Sequence, residues 1–426
     1  METDRVPDEE AVAPGRVTPL DKGIGALSAA ACARSGWRLL AEELSLPAAL
    51  LDAEALEHNL RWMQSFIDAY GLKLAPHGKT TMAPALFRRQ IAGGAWGITV
   101  ATAQQARVAA SAGVPQVLMA NQLVGRRNME AIAELLAPAE RPGFFCLVDS
   151  AVGVELLGSF FRARGLTLDV LLELGPHGGR TGVRDGGQEE ATLAALEAWR
   201  DTVRLAGVEL FEGVLTEEEA IRGLLQRAVG LLERLVRERR VARRPPILSG
   251  AGSAWYDVVA EEFSRVRCDG PVDVVLRPGC YLTHDVGLSR GPQARILERN
   301  GIARRMQEGL RPALRLWAYV HSVPEAAKAV VGLGKRDAAF DAGYPTPALR
   351  FRPGRDERPL PAPAHWTVTG MMDQHAYLRI APGDDVRPGD MLGFDISHPC
   401  LTFDKYRQIA VVDRDYRVVE LLRTFF

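Results

Sequence analysis

A lysine amine can lose its proton in an apolar pocket and attack an aldehyde carbon, which arginine cannot do. Only six of the 52 basic residues in this 426-residue chain are lysine: Lys22, Lys73, Lys79, Lys328, Lys335 and Lys405. Arginine supplies the general surface charge, so a lysine here more often marks a place that needs a primary amine. Lys79 stands in Pro76-His77-Gly78-Lys79-Thr80, directly behind a short apolar run. Further on, Ser249-Gly250-Ala251-Gly252-Ser253 is a chain of small residues that lets backbone N–H groups converge on a phosphate, with a helix opening just after it. Arg277-Pro278-Gly279-Cys280-Tyr281 is placed to close the same cup. Gly175-Pro176-His177-Gly178-Gly179-Arg180-Thr181-Gly182 frames an arginine suited to the oxygen or ring face of a cofactor. Asn121-Gln122 adds two hydrogen-bond donors. Taken singly, each has a plainer reading: a surface lysine, a tight turn, a flexible loop with a solvent arginine.

A second constellation lies near the C-terminus. Ser397-His398-Pro399-Cys400 puts an imidazole and a thiol two residues apart. On a β-strand such residues face the same side, and imidazole with thiolate favours Zn2+. The plainer reading is a buried cysteine beside a satisfied histidine. Asp373-Gln374-His375 adds another histidine upstream, whose plainer reading is a solvent-facing side chain.

The elements that must position these groups are legible in the hydrophobic pattern. Short runs rich in Val, Leu, Ile and Phe recur at 72–76, 96–101, 116–120, 143–148, 168–174, 208–215, 246–248 and 272–276. They read as buried parallel strands. Helical patterns lie between them at 104–112, 128–136, 190–205, 217–239 and 254–263, and a further helix at 55–70 precedes the first run. Eight strand–helix repeats predict a (β/α)8 TIM-type barrel, whose active site sits at the C-terminal strand ends, where Lys79, Arg180 and Ser249–Ser253 all fall. An open doubly wound sheet is the alternative. After about Leu310 the helical period fades. Runs at 314–320, 329–333, 366–372, 391–396 and 408–412 are separated by Pro-Gly turns, which predicts an all-β second domain. Residues 46–51 are placed to add a strand to it. The expected division is 1–44 an N-terminal extension with a disordered start, 45–300 the barrel and 301–426 the β-domain.

Composition excludes several classes. Net charge is −1, so no basic field argues for nucleic acid or an anionic membrane. No run of apolar residues is long enough to span a bilayer, and the first sixteen residues have no apolar signal core. Five widely spaced cysteines, Cys32, Cys146, Cys268, Cys280 and Cys400, fit reduced thiols in the cytoplasm better than a disulfide framework.

The motifs around Lys79, Arg180, Arg277, His375 and His398-Pro399-Cys400, in that order, resemble the D-serine dehydratase/D-threonine aldolase family of alanine-racemase-fold, pyridoxal-phosphate enzymes. The resemblance runs from about Leu46 to the C-terminus and extends to bacterial amino acid deaminases. It implies Lys79 as the Schiff-base lysine and base at Cα. It implies His77, Arg180, Ser249, Gly250, Gly252, Ser253 and Tyr281 around the cofactor, and His398 with Cys400 on Zn2+. It further implies a homodimer acting on a small D-amino acid. Elimination of water from a D-3-hydroxy amino acid such as D-serine, giving a keto acid and ammonia, is the expected reaction. The alternative is a D-threonine-type aldolase, with His375 as base. A non-catalytic cofactor-homeostasis protein is the rival of another class, disfavoured by the second domain. A racemase is disfavoured because it needs no metal. Two departures, Thr81-Met82 after Lys79-Thr80 and Asp373-Gln374 before His375, bear on substrate choice rather than on cofactor use.

Overall fold

The computed structural model describes Lys22 and residues 36–426, so the expected disordered start and Cys32 lie outside the described residues. The chain forms two compact units. One comprises Glu57–His284, Leu288–Arg311 and the last two residues. The other comprises the chain through Leu56 together with Asp285–Gly287 and Pro312–Thr424.

The first strand, β1 (Ala48–Asp52), belongs to the second of these units. The next eight build the first: β2 (Lys73–Leu74), β3 (Ile98–Val100), β4 (Gln116–Gln122), β5 (Gly143–Val148), β6 (Leu168–Leu174), β7 (Val203–Leu210), β8 (Ile247–Gly250) and β9 (Asp273–Leu276). From β3 to β9 each strand pairs in parallel with the next, and β9 pairs with β2. The ring closes between β2 and β3, where Trp96 N donates to Leu74 O at 2.7 Å and Thr99 N to Pro76 O at 2.9 Å. A closed parallel ladder, and not the open doubly wound sheet, is the outcome. Its interior is filled by Ala75, Leu118, Phe145, Leu147, Leu171 and Val275, among others, so the barrel is a packed core rather than a pore.

Two boundaries differ most from the sequence pattern, and two helices between the barrel strands were not legible in it. The helix expected at 190–205 is Gly186–Ala198, and the strand expected at 208–215 is β7 at Val203–Leu210. The helix starts early because Asp185 caps it, its carboxylate accepting from Gln188 N at 2.9 Å. Helices Pro84–Ala92 and Ala151–Arg162 are short or nearly all apolar, which blunts the period. The second begins at Ser150, a side-chain N-cap.

The second unit is a ten-stranded sheet, antiparallel apart from one pairing. Its strands after β1 are β10 (Leu314–Glu325), β11 (Lys328–Val331), β12 (Thr346–Phe351), β13 (Leu360–Pro361), β14 (Thr367–Met371), β15 (Ala376–Arg379), β16 (Met391–Asp395), β17 (Gln408–Val412) and β18 (Val418–Arg423). As expected for residues 46–51, β1 joins this sheet, antiparallel to β10 and parallel to β17. Leu50, Trp317, Phe351, Met391 and Val412 form its core with Leu39 and Leu44. One expectation is overturned. His398 and Cys400 do not share a strand: β16 ends at Asp395, and Pro399 opens a short helix, Pro399–Phe403. Proline lacks the N–H that a ladder needs, and its fixed φ suits the first helical turn. Among the described residues, no helix is long and apolar enough to cross a membrane.

Candidate active site

The loops that leave β2, β6, β7, β8 and β9 meet at one end of the barrel. Lys79 sits in the turn Gly78–Thr80 after β2, its side chain exposed. The β9 loop lies directly against that turn: His77 N donates to Pro278 O at 3.4 Å. A Cβ on Gly279 would stand 2.8 Å from His77 Cβ and 2.9 Å from Thr80 Oγ1, so only glycine allows this approach. Cys280 N in turn donates to Ser253 Oγ at 3.4 Å, which ties the β9 loop to the β8 loop.

Arg180 is held by a braced loop rather than a floppy one. Gly182 N donates to Asp149 Oδ2 at 3.1 Å, and Thr181 Oγ1 to Glu173 Oε1 at 2.7 Å. Gly182 has φ +96°, and a Cβ there would meet the backbone of Leu174 and Gly175 at 2.5 Å. The exposed guanidinium of Arg180 stands 4.8 Å from the centroid of the Phe211 ring, a cation–π distance. Phe211 belongs to the β7 loop, and its ring lies under Gly252 of the β8 loop. A small cleft is lined by Glu173, Pro176, Arg180, Thr181, Phe211 and Val214.

The sequence-expected residues divide in two. His77, Lys79, Arg180, Gly252 and Ser253 all lie on these converging loops. Ser249 and Tyr281 do not offer their hydroxyls there. Ser249 is the third residue of β8, fully buried, and its hydroxyl donates to Val275 O at 3.0 Å inside the barrel wall. Tyr281 packs inward from the turn Cys280–Leu282, and its oxygen accepts from Gln90 Nε2 at 3.1 Å. Gly250 gives its carbonyl to Arg277 N at 3.1 Å. Asn121 bonds Ala101 O at 2.9 Å, whereas Gln122 reaches Glu173.

The buried carboxylates beneath the mouth, Glu173, Glu209 and Glu212, are absent from the sequence-based expectations. Arg277, buried at 4% exposure, donates to Glu209 Oε1 and to Leu210 O. Burial pushes the Glu209 carboxyl up to about 8, against the pull of Arg277. Glu173 and Glu212 are shifted upward for the same reason. His77 moves the other way: burial first, then the charges of Lys79, Arg277 and Arg180, hold it well below its ordinary range, so its ring is neutral. The signal was a carboxylate inside an apolar strand, as in Leu171-Leu172-Glu173-Leu174 and Val208-Glu209-Leu210.

These loops fit pyridoxal phosphate, the cofactor the resemblance implies. A lysine amine stands beside a neutral imidazole and two guanidinium groups. Ala251 N and Gly252 N already grip an oxyanion, the Glu212 carboxylate, at 3.1 and 2.6 Å. His77 Nδ1, Arg277 Nε and Glu209 Oε2 are shut off from solvent with no hydrogen-bond partner among the described residues, which is unusual for native buried groups.

In the other unit, His398 is half-buried at the start of Pro399–Phe403. Its Nδ1 lies 2.8 Å from Asp341 Oδ2. Hydrogen bonds to Cys400 and then to Asp341 push the imidazole up to about 9, although burial opposes them. So the two side chains meet across a helix start instead of a strand face. A carboxylate on one ring nitrogen fixes the tautomer and turns the other nitrogen towards a cation, the usual arrangement behind a metal-bound histidine. The pair therefore suits a soft divalent ion with open positions. Among the described residues, no group of three or more His, Cys, Asp or Glu side chains is arranged to hold one. His375 is exposed in the β14–β15 turn, its ring 6.2 Å from that of His321 and edge-on to it.

The chain belongs to the family defined by the alanine racemase N-terminal domain, which matches residues 51–272; a putative serine dehydratase domain matches residues 313–412. Its relatives include D-threonine aldolase of Arthrobacter sp., 26% identical over 377 residues, 86% of this chain and 88% of that one. D-threo-3-hydroxyaspartate dehydratase of Delftia sp. (strain HT23) is 30% identical over 250 residues, 57% of this chain and 62% of that one. The crystal structure of D-threonine aldolase from Filomicrobium marinum matches with a TM-score of 0.74 and 25% identity, covering 91% of this chain and 97% of that one. The fold is thus alanine-racemase-like, a parallel barrel with an antiparallel β-sheet unit, and the relatives are lyases of D-hydroxy amino acids.

Proposed function

We propose that the protein is a pyridoxal-phosphate lyase that removes water from a D-3-hydroxy amino acid such as D-serine, yielding a keto acid and ammonia. The observation that carries this is Lys79, an exposed amine among the barrel-mouth loops, beside a loop whose amides grip an oxyanion. Bound there, pyridoxal phosphate supplies an aldehyde for the amine and a ring that takes up electrons released at Cα.

The chain's own residues supply the rest. Lys79 would hold the cofactor, and its amine would serve as the base for the Cα proton. Arg180, fixed over Phe211 by its braced loop, orients an anionic oxygen through a planar donor pair. Neutral His77 presents an uncharged ring and leaves Lys79 without a competing proton donor. Buried Arg277, bonded to Glu209 and to Leu210 O, keeps a positive charge beneath the mouth. His398 and Cys400 would hold Zn2+, which would supply Lewis acidity for a poor leaving group, hydroxide. A homodimer is part of this reading.

A second reading, retro-aldol cleavage, is favoured by one observation: His375 is exposed and available as a base, with His321 beside it at 6.2 Å between ring centroids. One assay separates the two. Purified protein with pyridoxal phosphate and Zn2+ is given both enantiomers of serine, threonine and 3-hydroxyaspartate. Keto acid and ammonia from a D-substrate support elimination; glycine and an aldehyde support the aldolase; neither product from any substrate removes both.

A further inference from the structure

A carboxylate already occupies the loop that should take the cofactor's phosphate. Glu212 opens the turn Glu212–Val214 after β7 and is fully buried. Its Oε2 accepts from Ala251 N at 3.1 Å and its Oε1 from Gly252 N at 2.6 Å. Ala251 is held at φ +78°, in the left-handed region that alanine avoids. Successive N–H groups turned inward by such a residue form an anion-binding nest. Among the described residues, Glu212 makes no ion pair, and Arg277, whose charge acts on it, is bonded to Glu209 and Leu210 O. A buried carboxylate held by backbone alone is an expensive way to brace a turn. Burial accordingly pushes its carboxyl upward.

We infer that Glu212 is an internal stand-in for the cofactor's phosphate: loading exchanges one oxyanion for another on the Ala251 and Gly252 amides, so Glu212 sets how tightly the cofactor is held. This rests on the reading that the barrel mouth takes pyridoxal phosphate. It goes beyond that reading by assigning a residue that opposes binding. The structural alternative, that Glu212 merely props the loop, predicts the opposite sign. Removing a prop loosens the nest and weakens phosphate binding, whereas removing a competitor frees two donors and strengthens it.

The full chain, stripped of cofactor, is titrated with pyridoxal phosphate, with phosphate-free pyridoxal and with inorganic phosphate. Wild type, Glu212→Gln and Glu212→Ala are compared, folding being checked by circular dichroism. Both variants should bind pyridoxal phosphate about tenfold tighter or more, and inorganic phosphate should raise their melting temperature at lower concentration than in wild type. Pyridoxal affinity should not change. Equal or weaker pyridoxal-phosphate binding by folded variants overturns the inference, and so does a matching gain for pyridoxal. Should neither variant fold, a crystal structure of loaded wild type decides. Glu212 displaced from both amides by phosphate supports the inference, and Glu212 still bonded to them with phosphate elsewhere overturns it. Failure of the cofactor reading looks different: wild type would then take up no pyridoxal phosphate in a manner dependent on Lys79.

Discussion

At the barrel mouth the charged groups are braced by backbone or paired underneath, whereas at His398 two polar side chains lean on each other at a half-exposed helix start. The mouth is assembled from five loops whose take-off points are fixed by a closed ladder, and residues 200 positions apart, Thr80 and Cys280, come within 4.0 Å. The His398 turn is set by one proline and by the carboxylate of Asp341, 57 positions away. A site built on a ladder tolerates buried charge because its partners cannot drift. A site built on a turn keeps small, soft groups near solvent, where a bound ion would organise them. Substitutions on each side should show which of the two sites tolerates perturbation.

The largest effect should come from Lys79→Ala. Its side chain is exposed, so folding should be unchanged. Turnover should fall on the order of 10²–10⁴-fold, the range expected for loss of a positioned base, and borohydride should no longer fix the cofactor to the chain. A reducible linkage persisting in the variant would move the role to one of the other five lysines.

Next is the charge pair under the mouth. Glu209→Ala leaves Arg277 buried without its partner, which should cost about 3–5 kcal/mol in urea unfolding. Adding Arg277→Met should recover most of that, since replacing both partners removes the orphan charge. A single-variant loss below about 1 kcal/mol would mean the pair is wetter than its 1% and 4% side-chain exposures indicate.

How much of this was legible in the sequence follows the same division. The ladder was readable because buried parallel strands leave continuous apolar runs; β5 and β6 match the expected runs residue for residue. Lys79 and Arg180 were readable because each stands just past such a run. The place of the Ser249 hydroxyl was not legible, because a small polar residue looks the same whether it lines a cup or bonds a neighbouring strand, as it does with Val275 O. Glu209 and Glu212 were not read because their meaning depends on Arg277 and on the Ala251 and Gly252 amides, up to 68 residues away. His398 and Cys400 were paired correctly for the wrong geometric reason: proline opened a helix instead of interrupting a strand.

The His398 turn gives a smaller effect. Cys400→Ala should leave cofactor uptake intact and lower elimination about 10²-fold, the scale of a lost Lewis acid. Chelation should mimic it and Zn2+ should reverse the chelation. Asp341→Asn should weaken Zn2+ affinity about 10–100-fold without touching the cofactor. If Cys400→Ala and chelation both leave ammonia release unchanged, the pair is structural and the comparison loses its second term.

The smallest effect tests whether the barrel unit carries its histidines neutral. His284 is 5% exposed, and burial, helped by Arg290, lowers its pKa from 6.5 to about 4. An unfolded chain takes up that proton as the pH falls below 6.5, while the folded barrel refuses it until about 4. The folded state therefore loses stability as pH drops through this window and loses no more below it. The loss at pH 4 relative to pH 7 should be about 1–3 kcal/mol. His284 has φ +42°, a left-handed conformation that asparagine accepts, so His284→Asn removes the titration without forcing the backbone. Urea unfolding of wild type and variant across pH 4–7 isolates the contribution, because His77 titrates in both. The wild type should fall away from the variant as the solution is acidified. Two parallel profiles would mean that His284 is hydrated in solution, and that this part of the barrel is looser than the braced mouth it supports.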